Sequence, residues 1–322
     1  MGVCGTPLDY DLGLMERLEA VYGVRLCSLL AELVKPVPRL YVRVNTLKVD
    51  VESYLEKLRE QGLRFEMDPD IPEAIWAPVE GPLEVPIYDG KVVVDKRAAE
   101  AVLLGSDLYA PGVMAASRVS RGSMVTIVAP NGVVVASGLA VMDGEEMVKA
   151  QRGLAVKVLH PRYKAPRVSD LPGFKEGLIY GQSLPSMVAV RILDPKPGEV
   201  IVDLTAAPGG KVSHAAQLAG PRSTVIAIDR TSKRGKLEET LGRLGMSWVR
   251  VVGGDSRYAD RLLPHLKGRV DAVIVDPPCS DLGVRPKLYD RKTLRDIVNL
   301  MLYQRRFIEA AARILRKGGR ML

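Results

Sequence analysis

Short apolar runs separated by segments with helical spacing dominate the C-terminal half of the chain. Four such runs, rich in β-branched residues, occur after Gly177, at residues 200–203, 224–229, 249–252 and 271–276. This alternation is typical of a parallel sheet that is covered by helices on both faces. The pattern therefore predicts an α/β fold for residues 168–322.

The first 90 residues have a different, mixed pattern. Leucines between Leu12 and Leu33 follow helical spacing up to a Pro-rich break at Pro36. Residues 40–45 then alternate like a strand, and residues 51–61 have a helical pattern that Gly62 closes. We expect a small α/β domain over residues 1–90.

Residues 91–167 contain short Val-, Met- and Ala-rich runs between turn signals. Asn131-Gly132 lies between two such runs, and both residues tolerate the positive φ that a tight hairpin requires. The segment is therefore predicted to be a compact β-rich module inserted between two α/β regions.

The chain has an excess of basic residues, which suggests a negatively charged partner. The formal net charge is +8, which suits a polyanion. Residues 149–167 carry six Lys or Arg residues and no Asp or Glu, so they form either a solvated strand and linker or a phosphate-contacting edge. The candidate RNA-binding residues are Arg152, Lys157, Arg162, Lys164 and Arg167.

The cysteine, histidine and apolar patterns argue against a disulfide-rich protein, a metal-binding protein and a membrane protein. The three cysteines form no C-x-x-C pair, so we expect neither a disulfide framework nor a zinc site, and a reducing cytoplasm fits best. Three scattered histidines give no reason to expect a metal. The longest apolar stretch, residues 125–142, is broken by Pro130, and no leader pattern precedes it, so we expect no membrane partner. We also expect a monomer.

A loop of small residues follows the first strand of the predicted parallel sheet. In an open α/β sheet such a loop lets the backbone approach a cofactor at the carboxyl end of the strand. It does not fit a Walker phosphate loop, because Thr205 stands where that motif has its first glycine and Val212 stands where it has a Ser or Thr. It does not match G-x-G-x-x-G either. The loop residues are Thr205, Ala206, Ala207, Pro208, Gly209, Gly210 and Lys211.

Acidic residues follow all four strands of this sheet. Asp203, Asp229, Asp255 and Asp276 are each explained singly by a turn or a helix cap, but together they indicate a shared pocket. Asp229 is placed to accept hydrogen bonds from ribose hydroxyls. An acidic nucleoside pocket suits a cationic sulfonium cofactor better than a phosphorylated one.

Asp276 opens the segment Asp276-Pro277-Pro278-Cys279 at the same edge. Cys279 is either a small apolar filler or a reactive thiol. A thiolate adds to C6 of cytosine, a protonated acid supports N3, and C5 then accepts a methyl group. Such chemistry on structured RNA requires the base to be flipped out.

Taken together, these motifs resemble the Sun/Nop family of RNA cytosine-C5 methyltransferases. The similarity runs through residues 40–48, Gly181-Gln182-Ser183, the small-residue loop, residues 276–280 and Gly318-Gly319. Residues 94–102 are similar to the opening of a PUA domain, an RNA-binding module. The resemblance implies a Rossmann-like class I sheet, S-adenosylmethionine as cofactor, and RNA, foremost tRNA, as partner, with rRNA as the alternative. It implies cofactor contacts by residues 205–211, Asp229, Arg234, Asp255 and Asp276.

The family pattern also places its usual nucleophile in a Thr-Cys motif on a strand after Gly318-Gly319, and this sequence ends at Leu322. If the chain is a piece of a longer protein, Cys279 mainly assists product release; otherwise the methyltransferase domain is incomplete and turns over little. Cys279 as the nucleophile is a further option. The rival functions are a non-catalytic RNA-binding protein and an enzyme that methylates another RNA atom, such as an exocyclic amine.

Overall fold

A computed structural model describes residues 2–322 of the chain. Its helices are α1 (Leu12–Tyr22), α2 (Leu26–Val34), α3 (Val51–Glu60), α4 (Lys96–Leu103), α5 (Gly144–Lys149), α6 (Leu184–Leu193), α7 (Gly210–Ala219), α8 (Arg234–Arg243), α9 (Ala259–Leu262) and α10 (Leu294–Ile314).

The strands begin near the amino terminus and continue to the end of the chain. They are β1 (Leu8–Tyr10), β2 (Arg39–Val44), β3 (Glu66–Met67), β4 (Ala74–Pro78), β5 (Gly90–Val94), β6 (Leu108–Tyr109), β7 (Val113–Ser117), β8 (Met124–Val128), β9 (Val134–Ala140), β10 (Leu154–Pro161), β11 (Ile179–Gly181), β12 (Val200–Asp203), β13 (Thr224–Asp229), β14 (Arg250–Gly253), β15 (Val270–Ile274), β16 (Asp290–Lys292) and β17 (Leu315–Met321).

The chain divides into two units. One unit contains Met1–Arg39, Pro78–Arg167 and Ser280–Ile297, and the other contains Leu40–Ala77, Val168–Cys279 and Val298–Leu322. The first 90 residues are therefore distributed over both units.

The predicted parallel sheet is confirmed in the second unit. Its strand order is β14-β13-β12-β15-β17, and every neighbouring pair is parallel. Asp203 is in register with Ala227 on one side and Ile274 on the other. Parallel strands end at the same edge, so the acidic residues that follow β12, β13, β14 and β15 are brought to one side of the sheet.

Apolar residues bury both faces of this sheet. Successive strand residues point to opposite faces, and Ile201 and Val202 accordingly belong to two different core clusters. Ile201 packs with apolar residues of α6, α7 and α8, whereas Val202 packs with Phe307 and other residues of α10. Each fully buried aliphatic side chain contributes about 1.5–3 kcal/mol relative to exposure, so the sheet holds its edge loops on a rigid base.

A smaller antiparallel sheet in the second unit has the order β11-β2-β4-β3. The predicted strand at residues 40–45 is β2, and the predicted helix is α3, which Asp50 caps by accepting a hydrogen bond from Ser53 N at 2.8 Å. Strand β11 pairs with β2, although more than 130 residues separate them. Residues that follow the β-rich module thus complete this small sheet.

The β-rich module in the first unit is a six-stranded sheet with the order β6-β10-β9-β8-β5-β7. The predicted hairpin is confirmed, because β8 and β9 are antiparallel across Asn131-Gly132. Gly132 has φ +84°, a value that side chains with a Cβ rarely adopt. The turn chemistry seen in the sequence therefore set this pairing.

The expectation that the chain has no disulfide is wrong. Cys4 and Cys27 are bonded, with their Cα atoms 5.2 Å apart and a separation of 23 positions in sequence. The apolar cluster that includes Leu8, Leu14 and Leu26 folds the amino-terminal segment back on α2. The pairing follows from this packing, which a search for C-x-x-C spacing does not detect.

Among residues 2–322, no helix is both long enough and apolar enough to cross a membrane. Within the same residues, no three His, Cys, Asp or Glu side chains converge in a way that would hold a metal ion.

Candidate active site

The loop after β12 is held by hydrogen bonds to two of the strand-end aspartates. Thr205 N donates to Asp203 Oδ1 at 2.9 Å, and Ala207 N donates to Asp229 Oδ2 at 2.9 Å. The other oxygen of Asp229 accepts from Arg230 N at 2.8 Å. Asp229 is buried, so these charge-assisted bonds determine how the loop passes the carboxyl end of β13.

Two glycines connect this loop to α7. Gly209 has φ +117°, and a Cβ at this position would lie 3.0 Å from Thr240 Cγ2. Gly210 begins α7, and a Cβ there would lie 3.2 Å from the ring of Tyr180. The two glycines therefore let the loop pack closely against Thr240 and Tyr180, and Gly209 adopts a backbone conformation that residues with a Cβ rarely adopt.

Asp203 is the most deeply buried of the four aspartates at the strand ends. Burial raises its pKa from 3.8 to about 7; the hydrogen bond from Thr205 N opposes this shift, and the charge of Asp276 adds to it. At neutral pH a substantial fraction of this carboxyl is therefore protonated.

Asp276 faces the loop from the end of β15. Its backbone N–H donates to Thr205 Oγ1 at 2.8 Å, and its carboxylate pairs with Lys211 Nζ at 2.5 Å. The Asp276 side chain is 58 % exposed, whereas Lys211 is largely covered. Thr205 and Lys211 thus place an accessible carboxylate above the loop.

Cys279 is exposed and is not part of a disulfide, so it is not a packed apolar filler. Gln304 Nε2 of α10 donates to Pro278 O at 2.9 Å and holds the segment that carries the thiol. A concavity of about 350 Å³ contains Cys279 and Asp276 together with Pro277 and Ile308. A planar base therefore has room beside both reactive groups.

A second cavity, of about 200 Å³, lies on the other side of Asp276. Its wall includes Asp203, Lys211 and loop residues 205–208, together with Tyr180, Ser183 and Ser186. Gln182 also lines it; the side chain is 7 % exposed, and neither amide atom has a hydrogen-bond partner among the described residues. Both amide atoms are themselves buried, and buried polar groups are rarely left without a partner.

Three of the predicted cofactor side chains, those of Asp229, Arg234 and Asp255, do not line this cavity. Arg234 is 54 % exposed and pairs with Glu238 one helical turn away, at 2.7 Å. Asp255 accepts a forked pair of hydrogen bonds from Arg257, and this interaction is the main cause of its lowered pKa. The structure therefore brings together residues 205–211, Asp203 and Asp276, but it places Arg234 on an exposed helix face.

The five predicted RNA-binding residues do not share one environment. Arg152, Lys157, Arg162 and Lys164 are exposed. Arg167 is partly buried, pairs with Asp107 at 3.3 Å and donates to Gly105 O at 2.8 Å. Its guanidinium is thus engaged within the β-rich module, while the other four present their charges to solvent.

Support for α7 comes from the small antiparallel sheet and was missed at the sequence level. Arg43 of β2 is fully buried and donates to Gly210 O at 3.0 Å and to Ser213 Oγ at 2.7 Å. Burial lowers the pKa of Arg43 to about 9. Because Gly210 closes the loop, Arg43 connects the small sheet directly to the candidate site.

A buried Glu73–His214 pair makes a second connection to α7. His214 Nε2 lies 2.5 Å from Glu73 Oε1, and Arg191 Nε donates to the same oxygen at 2.8 Å. Burial lowers the pKa of His214 to about 4, so the imidazole is neutral at pH 7. Burial acts to raise the pKa of Glu73, but the bonds from His214 and Arg191 outweigh it and hold that pKa near 2.

Three family descriptions match successive parts of the chain. "16S rRNA methyltransferase RsmB/F" matches residues 190–322, "PUA domain" matches residues 90–161, and a ferredoxin-like domain of RsmF/B-like methyltransferases matches residues 13–84. The β-rich module and the small antiparallel sheet therefore have known counterparts.

Individual relatives align over nearly all of the chain. The tRNA (cytosine(72)-C(5))-methyltransferase of Pyrococcus horikoshii is 44 % identical over 297 residues, covering 91 % of this chain and 75 % of that protein. The mouse protein NSUN6, with the same enzyme name, is 29 % identical and covers 91 % of this chain and 68 % of its own. The crystal structure of NSun6 from P. horikoshii with SFG, an S-adenosylmethionine analogue, has a TM-score of 0.88 at 41 % identity and covers 96 % of this chain and 81 % of that one.

A parallel sheet with a small-residue loop and acidic strand ends is typical of the class I S-adenosylmethionine-dependent methyltransferases. These features place the chain in that class. Within that class, the chain belongs to the RsmB/RsmF family, whose members methylate C5 of cytosine in RNA through a covalent adduct. The resemblance to the PUA-containing Sun/Nop branch is thereby confirmed. The orphaned Gln182 amide and the acidic, partly protonated pocket fit the zwitterionic and cationic groups of this cofactor.

Proposed function

We propose that this chain forms 5-methylcytosine in tRNA, at cytosine 72, the position for which the P. horikoshii and mouse relatives are named. The observation that carries the proposal is the alignment of both relatives over 91 % of the chain, which takes in the PUA domain as well as the methyltransferase sheet. We assign residues 1–90 and 91–167 to RNA binding and residues 168–322 to methyl transfer. The enzyme acts as a cytoplasmic monomer; disulfides do occur inside cells of hyperthermophiles.

The exposed basic residues of the β-rich module are proposed to contact RNA phosphates. Arg152, Lys157, Arg162 and Lys164 present uncompensated positive charge within a segment that has no acidic residue. Such contacts position an RNA without reading its sequence. Arg167 contributes by holding this segment to the body of the module.

The cofactor is proposed to lie along the loop formed by residues 205–211. It supplies an electrophilic methyl group on a positively charged sulfur. Asp229 and Asp255 are at the ends of strands where the nucleoside is accepted, and the cavity with Gln182 and Lys211 takes the amino-acid end. Arg234 reaches the cofactor only if its pair with Glu238 opens.

Asp276 and Cys279 are proposed to act on the cytosine ring. The thiolate of the family's Thr-Cys motif adds to C6 and makes C5 electron-rich, and the Asp276 carboxyl supports N3 while this adduct exists. C5 then takes the methyl group from the cofactor sulfur and loses its proton, so that the C6–S bond breaks and the thiolate leaves. Cys279 lies in the same concavity as Asp276 and assists this release.

Incubation of the protein with tRNA and S-adenosylmethionine carrying a labelled methyl group tests the function, with nuclease digestion and mass spectrometry as the readout. The expected product is labelled 5-methylcytosine at one position of tRNA. Absence of transfer would favour the non-catalytic RNA-binding protein, and label on an exocyclic amine or in rRNA alone would refute the proposal.

In a version of the chain extended to carry the family's Thr-Cys motif, replacement of Cys279 by alanine is expected to slow turnover at least about tenfold and to cause a covalent protein–RNA complex to accumulate. The complex is measured on a denaturing gel after reaction with tRNA. Ser280→Ala is the neighbouring control and should behave like the unmodified protein. If the complex disappears instead in Cys279→Ala, Cys279 is the nucleophile and its assignment to product release is wrong.

Replacement of Gln182 by leucine has two expected effects of opposite sign. Leucine has a similar size but no polar atoms, so the cofactor-free protein should become slightly more stable as two unsatisfied buried groups are removed. Affinity for S-adenosylhomocysteine, measured by calorimetry, should fall about tenfold because the ligand loses two hydrogen bonds. Unchanged affinity would show that the Gln182 amide does not face the cofactor.

A further inference from the structure

An arginine-lined cleft lies between the segment after β14 and helix α10. Its volume is about 470 Å³, and every side chain on its wall is either charged or a tyrosine. Four arginines, Arg257, Arg261, Arg306 and Arg313, face two carboxylates across it. No aliphatic residue lines the cleft, so its chemistry favours a polar anion over an apolar partner.

The carboxylates of the cleft are already neutralised. Asp260 pairs with Arg313 at 3.0 Å, and Glu309 pairs with Arg305, on the next turn of α10, at 3.0 Å. Neither Arg261 nor Arg306 forms an ion pair within residues 2–322. Two guanidinium groups therefore remain available to an external anion.

Aromatic rings hold two of the guanidinium groups in place. The Arg261 guanidinium lies 5.1 Å from the ring centre of Tyr258, and that of Arg257 lies 5.2 Å from the ring centre of Tyr303. A stacked guanidinium keeps its in-plane N–H groups free, and these match phosphate oxygens in geometry. Tyr258 is 45 % exposed, which leaves ring surface accessible as well.

One end of the cleft meets the edge of the sheet that carries the active site. Arg257, which lines the cleft, makes its forked hydrogen bond to Asp255 directly after β14. An anionic polymer lying in the cleft would therefore run toward the cofactor loop along the same edge.

We propose that this cleft binds backbone phosphates of the substrate RNA through Arg261 and Arg306, as a contact surface within the methyltransferase sheet that is separate from the PUA domain. The inference rests on the proposed function, because it takes the RNA substrate as given. The occupant is the RNA itself, since free arginines, stacked tyrosines and a lining without aliphatic groups suit a sugar–phosphate chain better than a protein surface.

The test compares two double variants that remove the same charge. Arg261→Ala with Arg306→Ala removes the cleft arginines, and Arg222→Ala with Lys267→Ala removes two exposed charges near the amino-terminal ends of β13 and β15, away from the active edge. Affinity for unmodified tRNA is measured by fluorescence anisotropy across a salt series. Binding of S-adenosylhomocysteine and the unfolding temperature serve as checks on folding.

The cleft variant is expected to bind tRNA about fivefold to tenfold more weakly near physiological salt. The slope of log affinity against log salt should become shallower by about one to two, the value for one or two lost phosphate contacts. The control variant, the cofactor affinity and the unfolding temperature should stay near those of the unmodified protein.

Equal weakening by both double variants would overturn the proposal, since it would reflect net charge alone; so would an unchanged slope in the cleft variant. These outcomes differ from failure of the proposed function itself. In that case the unmodified protein would transfer no methyl group to tRNA, whatever the two variants do.

Discussion

Replacement of Asp203 by asparagine is expected to stabilise the cofactor-free protein at neutral pH, by an amount that grows with pH. Burial raises the pKa of Asp203 from 3.8 in the unfolded chain to about 7 in the fold. Between these values the unfolded state releases the proton and the folded state keeps it, so rising pH favours unfolding. Asparagine resembles the protonated acid and does not titrate.

The stability gap between Asp203→Asn and the unmodified protein should therefore open above pH 4 and level off above pH 7. The expected gradient is about 1.4 kcal/mol per pH unit, with a plateau on the order of 4 kcal/mol. Urea unfolding at a series of pH values measures it. Asparagine retains the oxygen that accepts from Thr205 N, so the loop keeps that anchor.

Asp271→Asn is the matched control and is expected to have the opposite sign. Partial burial acts to raise the pKa of Asp271, but hydrogen bonds from Val200 N and Arg316 outweigh it and lower the pKa. The ionised form of Asp271 therefore stabilises the fold at pH values above the ordinary pKa of a carboxyl group. Parallel pH profiles for the unmodified protein and Asp203→Asn would contradict the assignment of a protonated acid to this site.

Replacement of Asp229 by alanine is expected to weaken cofactor binding about 100-fold. Its carboxylate accepts from Ala207 N and Arg230 N and pairs with Lys233 at 3.6 Å, so alanine leaves two amides without an acceptor and releases the loop. Each hydrogen bond to a charged group contributes about 1.5–3 kcal/mol. The free energy of unfolding should also fall, by about 2 kcal/mol.

Calorimetric titration with S-adenosylhomocysteine measures this loss, and Asp229→Asn separates its two causes. Asparagine keeps one oxygen for Ala207 N, so it should preserve stability better than alanine while still binding the ribose less well than a carboxylate. Affinity within about threefold of the unmodified protein in Asp229→Ala would show that the loop holds its conformation and binds the cofactor without this residue.

Local patterns in the sequence were sufficient to predict the elements that build the site. The apolar run at residues 200–203 and the small residues after it are short-range features, and they appear as β12 and the loop that Asp229 holds. Asn131-Gly132 predicted its hairpin for the same reason, since turn chemistry depends on only two residues. These predictions succeeded because the physical cause lies within a few residues of the feature.

Other properties of the site depend on residues that are distant in sequence. Arg43 reaches Gly210 across 167 residues, and His214 reaches Glu73 across 141. His214 is one of three histidines scattered along the sequence, and the fold buries it fully in this network. The cleft likewise joins Arg261 to Arg306, on two different elements of the second unit. Spacing in the chain carries no signal for such contacts.

The sequence by itself determined strands β12 to β15 of the parallel sheet, the composition of the loop after β12 and the segment that carries Asp276 and Cys279. Only the tertiary structure decided that burial raises the pKa of Asp203 to about 7, that both amide atoms of Gln182 are buried without a partner, and that Cys4 bonds to Cys27. The reason is physical. Backbone conformation responds mainly to neighbouring residues, whereas burial, charge pairing and hydrogen-bond satisfaction depend on which distant segments the fold packs together.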